Sequence, residues 1–187
     1  MRLFLAVNLP VAVQRAISIA TEPLREILPQ GSWLPERRLH LTLKFLGERG
    51  EREVQALRDA MAAVAGRHRE LMLDLGGVGA FPTFRKARVV WFGVEQSPRF
   101  ELLHHDVELA YGALGFEVEG RPFRPHLTLA RVNERLDEQQ AKELSRAARR
   151  VQYRTDVVIR SVDLMCSELG PGGSSYTVLA SAPLRSG

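Results

Sequence analysis

The tetrapeptide His-Leu-Thr-Leu occurs twice in this chain, at His40-Leu41-Thr42-Leu43 and His126-Leu127-Thr128-Leu129, and nothing else in the sequence restricts the fold as strongly. On a β-strand successive side chains point to opposite faces. His40, Thr42 and Lys44 then share one face, and Leu41, Leu43 and Phe45 share the other. In the second copy His126 and Thr128 oppose Leu127 and Leu129. Each copy presents an imidazole beside a hydroxyl, backed by leucines that can enter a core. Leucine is common, and a short match between two strands is no rarity. Only five histidines exist in the chain, however, and two of them hold the same place in the same tetrapeptide.

The surroundings of the two copies are similar. Arg2 to Leu9 reads as a strand, followed by a helix that Pro10 can begin and Pro23 can kink or end. After a turn over Pro29 to Pro35, residues 39 to 46 form a strand, and Glu51 to Ala65 form a helix closing at Gly66. Leu71 to Leu75 and Ala87 to Val94 read as strands. Phe100 to Leu114 is then a helix, His126 to Val132 a strand and Asp137 to Arg149 a helix. Arg154 to Ile159, Val162 to Leu169 and Tyr176 to Ala180 close the chain as strands, with Gly170-Pro171-Gly172-Gly173 as a hairpin turn. No linker divides the 187 residues. We expect one α+β domain, residues 1–187, made of two similar halves.

The hydrophobic and charged fractions, 45% and 26%, are those of an ordinary globular chain. Arginine dominates the basic residues, with only Lys44, Lys86 and Lys142 as lysines. The guanidinium fork suits phosphate and base recognition, so the net charge of +4 fits an RNA partner, although codon usage or heat adaptation gives the same bias. A single cysteine, Cys166, excludes a disulfide framework and a cysteine-based zinc site, and it reads as a small buried hydrophobe. The apolar run Leu3 to Val7 is too short for a signal-peptide core, and no stretch is long enough for a membrane span. The expected compartment is the cytoplasm.

Two imidazoles are suited to cleaving a phosphodiester without a metal, because one takes a proton from the attacking oxygen while the other gives one to the leaving oxygen. The Thr42 and Thr128 hydroxyls can donate to the non-bridging phosphoryl oxygens, where charge develops. Strand mounting gives these groups the rigidity such placement needs.

These residues resemble the two-histidine phosphoesterase superfamily, marked by a His-x-Thr-x motif in each of two pseudo-symmetric lobes. Within it the chain is similar to the RNA 2′,3′-cyclic phosphodiesterases, also called 2′-5′ RNA ligases. The likeness runs from Arg2-Leu3-Phe4-Leu5-Ala6-Val7 through Trp33-Leu34-Pro35 and His40-Leu41-Thr42-Leu43-Lys44-Phe45-Leu46-Gly47 to Pro125-His126-Leu127-Thr128-Leu129-Ala130-Arg131. The resemblance implies a bilobal α+β fold, with two antiparallel-dominated sheets around a central cleft and helices outside. It implies hydrolysis of a 2′,3′-cyclic phosphate at an RNA end to a 2′-phosphomonoester, with no metal and no cofactor, and a reverse 2′-5′ joining reaction. It implies His40 as proton donor, His126 as proton acceptor, and Thr42, Thr128 and Arg131 as substrate-binding residues. A monomer is expected. Strict alternation places Arg131 on the face opposite His126 unless a bulge or the strand end re-aims it. Phe45 reads as core.

His104-His105-Asp106 has the composition of a metal cluster, yet neighbours on a helix do not share a face. The set Leu103, Val107, Ala110 and Leu114 explains that segment as core packing, and His68 reads as solvated surface. Arg37, Arg38, Arg121 and Arg124 flank the two motifs, and Arg85, Lys86 and Arg88 form a third basic cluster; some of these are expected to line an RNA-binding rim. Two other readings stay open: a phosphodiesterase for a small cyclic nucleotide or an ADP-ribose cyclic phosphate, and a non-catalytic RNA-binding module.

Overall fold

The run Leu3-Phe4-Leu5-Ala6-Val7 is buried on both faces, and this decides where the sheet lies. Leu3, Leu5 and Val7 enter the main core, while Phe4 and Ala6 form a small separate cluster with Met165 on the other face. In this computed structural model, which describes residues 1–170 and 173–187, the strand is β1 (Arg2–Asn8). It is followed by α1 (Val11–Ala20), α2 (Glu22–Ile27), a short β2 (Ser32–Trp33), β3 (His40–Glu48), α3 (Glu51–Ala65), β4 (Leu71–Phe81) and β5 (Val89–Val94). Then come α4 (Pro98–Ala113), β6 (His126–Arg131), α5 (Glu138–Arg150), β7 (Arg154–Ile159), β8 (Ser161–Gly170) and β9 (Gly173–Pro183). The expected turn at Gly170-Pro171-Gly172-Gly173 falls on Pro171 and Gly172, which lie outside the described residues. The first helix breaks at Thr21, ahead of Pro23, where the Thr21 hydroxyl donates to the Ile17 carbonyl.

The strands pair antiparallel in the order β7-β4-β5-β6-β3-β1-β8-β9, with β2 beside β6. The two expected sheets are present as two four-strand lobes, and they are joined rather than separate. The join is one register pair, Leu41↔Leu127, the residues between histidine and threonine in the two motifs. Continuing that antiparallel register sets His40 toward Thr128 and Thr42 toward His126, so a local two-fold axis runs through the leucine pair. Both leucines are buried.

The lobes are not the two halves of the sequence. The first lobe combines β1 and β3 with the C-terminal β8 and β9, and the second is the central run from β4 to β7 with β6 at the join. Side-chain caps start two of the covering helices: the Ser97 hydroxyl accepts from the Phe100 amide, and Asp137 accepts from the Gln140 amide. On α4 the buried stripe is Phe100, Leu103, Val107 and Tyr111. Leu114 is 44% exposed, so Tyr111, four residues after Val107, takes the place expected for it. Among the described residues no helix is long and apolar enough to cross a membrane.

Candidate active site

The two lobes flank a cleft of about 1480 Å³, lined among others by His40, Thr42, His126, Thr128 and Arg131, with His104 and Glu108 of α4 at its wall. The strands bring the two motifs to this one space, and their local geometry repeats. The His40 ring places Nδ1 2.7 Å from the Arg38 carbonyl, and the His126 ring places Nδ1 2.7 Å from the Arg124 carbonyl. A carbonyl only accepts, so in each ring Nδ1 carries the hydrogen and donates it. Nε2 is thereby left as the nitrogen free to take or give a proton. The carbonyl two residues upstream performs the same task in both lobes.

Each imidazole also has an aromatic neighbour. Phe4 and Tyr176 lie 5.0 and 5.4 Å from the His40 ring, and Phe81 meets the His126 ring edge-on at 5.0 Å. Phe81 is backed by Trp91 at 5.2 Å. Trp91 in turn lies where a side chain at Gly79 would be, since a Cβ there would fall 2.1 Å from the indole. Burial among these groups lowers the His40 pKa below 6.5, against the raising effect of its hydrogen bond to Arg38.

Both motif strands carry a bulge, and the bulges decide which way the side chains after each threonine point. On β6, Thr128 pairs with Trp91 and Ala130 with Val90, so Leu129 is the extra residue. On β3, Thr42 pairs with Ala6 and Lys44 with Leu5, so Leu43 is the extra residue. A one-residue slip reverses the faces of every later side chain. Arg131 therefore joins the face of His126 and Thr128, lines the cleft, and is in no ion pair among the described residues. Phe45 joins the face of His40 and Thr42, is 70% exposed and lies 6.2 Å from Phe4. It is not core, contrary to the alternation reading. By position in the repeat, Phe45 and Arg131 are counterparts.

Lys44 is correspondingly turned away from His40 and Thr42. Its ammonium donates to Glu108 Oε2 at 2.7 Å and to the Glu117 carbonyl at 2.8 Å, with both charged side chains buried. The three residues of His104-His105-Asp106 do not converge. His104 stacks on Phe123 at 3.8 Å and lies 3.7 Å from Glu108, whereas Asp106 accepts from His68 at 2.8 Å. His68 is consequently paired and largely buried rather than solvated. Burial lowers the His104 pKa, with Glu108 acting in the opposite direction. Cys166 is buried, and burial raises its thiol pKa.

Of the basic residues flanking the motifs, Arg121 and Arg124 line the cleft, and Arg38 lies over the Tyr176 ring at 5.6 Å. Arg121 is tied to Glu119, whose carboxyl its hydrogen bonds hold at about 2. Arg37 borders a side pocket of about 410 Å³ next to His40. Arg85, Lys86 and Arg88 line neither space.

Two joined antiparallel lobes, each presenting a His-x-Thr strand to a shared cleft, define a two-histidine phosphoesterase fold. The chain belongs to the 2′-5′ RNA ligase superfamily, whose family model matches residues 13–169. It is 31% identical over 176 residues to an RNA 2′,3′-cyclic phosphodiesterase of Methanothermobacter thermautotrophicus, a match covering 94% of this chain and 95% of that protein. It is 38% identical over 128 residues to an RNA 2′,3′-cyclic phosphodiesterase of Geobacillus stearothermophilus, covering 68% of this chain and 41% of that one. The crystal structure of TT0787 from Thermus thermophilus superposes with a TM-score of 0.77 at 29% identity, covering 100% of this chain and 99% of the other.

Proposed function

We propose that this chain hydrolyses 2′,3′-cyclic phosphate ends of RNA to 2′-phosphomonoesters, acting as a single bilobal monomer in the cytoplasm without metal or cofactor. The observation that carries this reading is the repeated histidine geometry: two Nε2 atoms in one cleft, each freed for proton transfer by a carbonyl two residues upstream. The names borne by the relatives supply the substrate class.

In the proposed step His126 Nε2 takes a proton from water as the water oxygen bonds to phosphorus. The bond from phosphorus to the 3′ oxygen breaks, and His40 Nε2 gives that oxygen its proton. The 2′ ester survives, leaving a 2′-phosphate and a 3′-hydroxyl. Proton exchange with solvent then resets both rings. Thr42 and Thr128 donate to the non-bridging oxygens, and Arg131 pairs with their charge. Phe45, exposed at the cleft on the far side of Phe4 from His40, offers its face to the terminal base. With a 5′-hydroxyl in place of water as the attacking group, the same step joins two ends through a 2′-5′ bond and frees the 3′-hydroxyl.

Leaving-group replacement tests the order of the two histidines. An activated ester with a leaving group that needs no proton should restore turnover to His40→Ala and leave His126→Ala inactive. Rescue of His126→Ala instead would reverse the assignment, and loss of neither activity on substitution would end it.

A further inference from the structure

The segment from Leu114 to Pro125 has neither helix nor strand, yet it forms one wall of the cleft and supplies the Arg124 carbonyl that orients His126. Something outside the segment has to hold it. Phe116 packs on Tyr111 and under Arg49, and Phe123 packs on Phe100, while the side-chain hydrogen bonds that hold the segment's backbone from outside converge on Lys44 and Glu108. Lys44, on the first motif strand, donates to the Glu117 carbonyl at 2.8 Å and to Glu108 Oε2 at 2.7 Å. The same Glu108 oxygen accepts the Glu119 amide at 3.0 Å, and His104, 3.7 Å from the other oxygen, stacks flat on Phe123. An ion pair with side chains 6% and 7% exposed loses so much hydration that a well-packed apolar pair is often as stable or more so. An apolar pair has nothing to offer the Glu117 carbonyl or the Glu119 amide.

We propose that Lys44 and Glu108 are positioning residues for His126, anchoring residues 117–119 so that the Arg124 carbonyl and the arginines before it keep their places in the cleft. The first motif strand thus sets the geometry of the second histidine, across the join between the lobes. The catalytic part of the inference rests on the function proposed above; the anchoring part does not.

Lys44→Met leaves Glu108 charged and unpaired, and the melting temperature should fall by roughly 10 °C. The double variant Lys44→Met/Glu108→Leu should regain most of that loss. It should nevertheless be cut by a glutamate-specific endoproteinase after Glu117 and Glu119 about tenfold faster than wild type, and its kcat should be about ten- to a hundredfold lower, as for a catalytic group displaced by about an ångström. Lys44→Arg should recover part of the kcat. A double variant with wild-type melting, resistance to the glutamate-specific protease and kcat would reduce the pair to a structural contact and overturn the proposal. Hydrogen exchange in the unmodified protein is independent of any variant's folding: the Glu119 amide should exchange far more slowly than that of Gly120, and equal rates would remove the anchor. Wild-type turnover in the same assay checks the proposed activity separately, since neither proteolysis nor exchange requires a substrate.

Discussion

Arg131 is the residue whose place depends most directly on the bulge in β6, and replacing it with Met isolates that dependence. The side chain is exposed at the strand end and is in no ion pair among the described residues, so its removal should change unfolding free energy by less than about 0.5 kcal/mol. In the cleft, on the face of His126 and Thr128, a guanidinium meeting a phosphodiester makes charge-assisted hydrogen bonds worth about 1.5–3 kcal/mol. That corresponds to a fall of about 10- to 150-fold in kcat/KM. Arg131→Lys keeps the charge but loses the fork and should fall between the two. Measured on an oligonucleotide ending in a 2′,3′-cyclic phosphate across a salt series, Arg131→Met should also flatten the log–log salt dependence of binding by about 0.7, the share of one phosphate contact on a single strand. Activity within about threefold of wild type, together with an unchanged salt slope, would refute the placement. A loss of activity accompanied by a large drop in melting temperature would refute the reasoning that separates binding from stability.

Three further outcomes rest on the same geometry. Burial keeps the His40 pKa below 6.5 in the empty cleft, so the proton it must donate is lost as pH rises through that lowered value. One limb of the kcat/KM profile should therefore lie below 6.5 and move up in kcat, because a bound anionic phosphate favours imidazolium; a profile with no limb below 6.5 would remove the shift. Phe45→Ala should weaken binding of a nucleotide by about 1–3 kcal/mol and leave melting unchanged, whereas Phe45→Trp should retain affinity; equal binding by all three proteins in a titration would remove the stacking platform. Leu127→Ala, at the single pair joining the lobes, should cost about 2–5 kcal/mol in urea unfolding, and a cost under about 1 kcal/mol would show that the join carries little of the stability.

The repeated motif was legible because strand alternation is local: His40 and Thr42, and His126 and Thr128, need only their own backbone to share a face. The facing of residues beyond each threonine was not legible. The bulges at Leu43 and Leu129 are defined by which residue of β1 or β5 stands opposite, and no spacing within the motif reveals the partner's register. Lys44, Phe45 and Arg131 all come after the bulge, so straight alternation misassigns all three. The lobes are a similar case. Sequence order suggests two halves, but β8 returns to lie beside β1 with β9 outside it, a pairing between the two ends of the chain. His104 and Glu108 carried one weak local signal, an i,i+4 pair beside the apolar stripe of α4. Their partner Lys44 is distant in sequence, and only the packing of α4 against β3 brings it to them.

In the proposed reaction two histidines alone move the protons. The direct test is to incubate the chelator-treated enzyme with an oligonucleotide ending in a 2′,3′-cyclic phosphate and to identify the product isomer. Full turnover to the 2′-phosphomonoester is expected, abolished by either His40→Ala or His126→Ala. Turnover lost on chelation and restored by a divalent metal, or a 3′-phosphomonoester product, would contradict it.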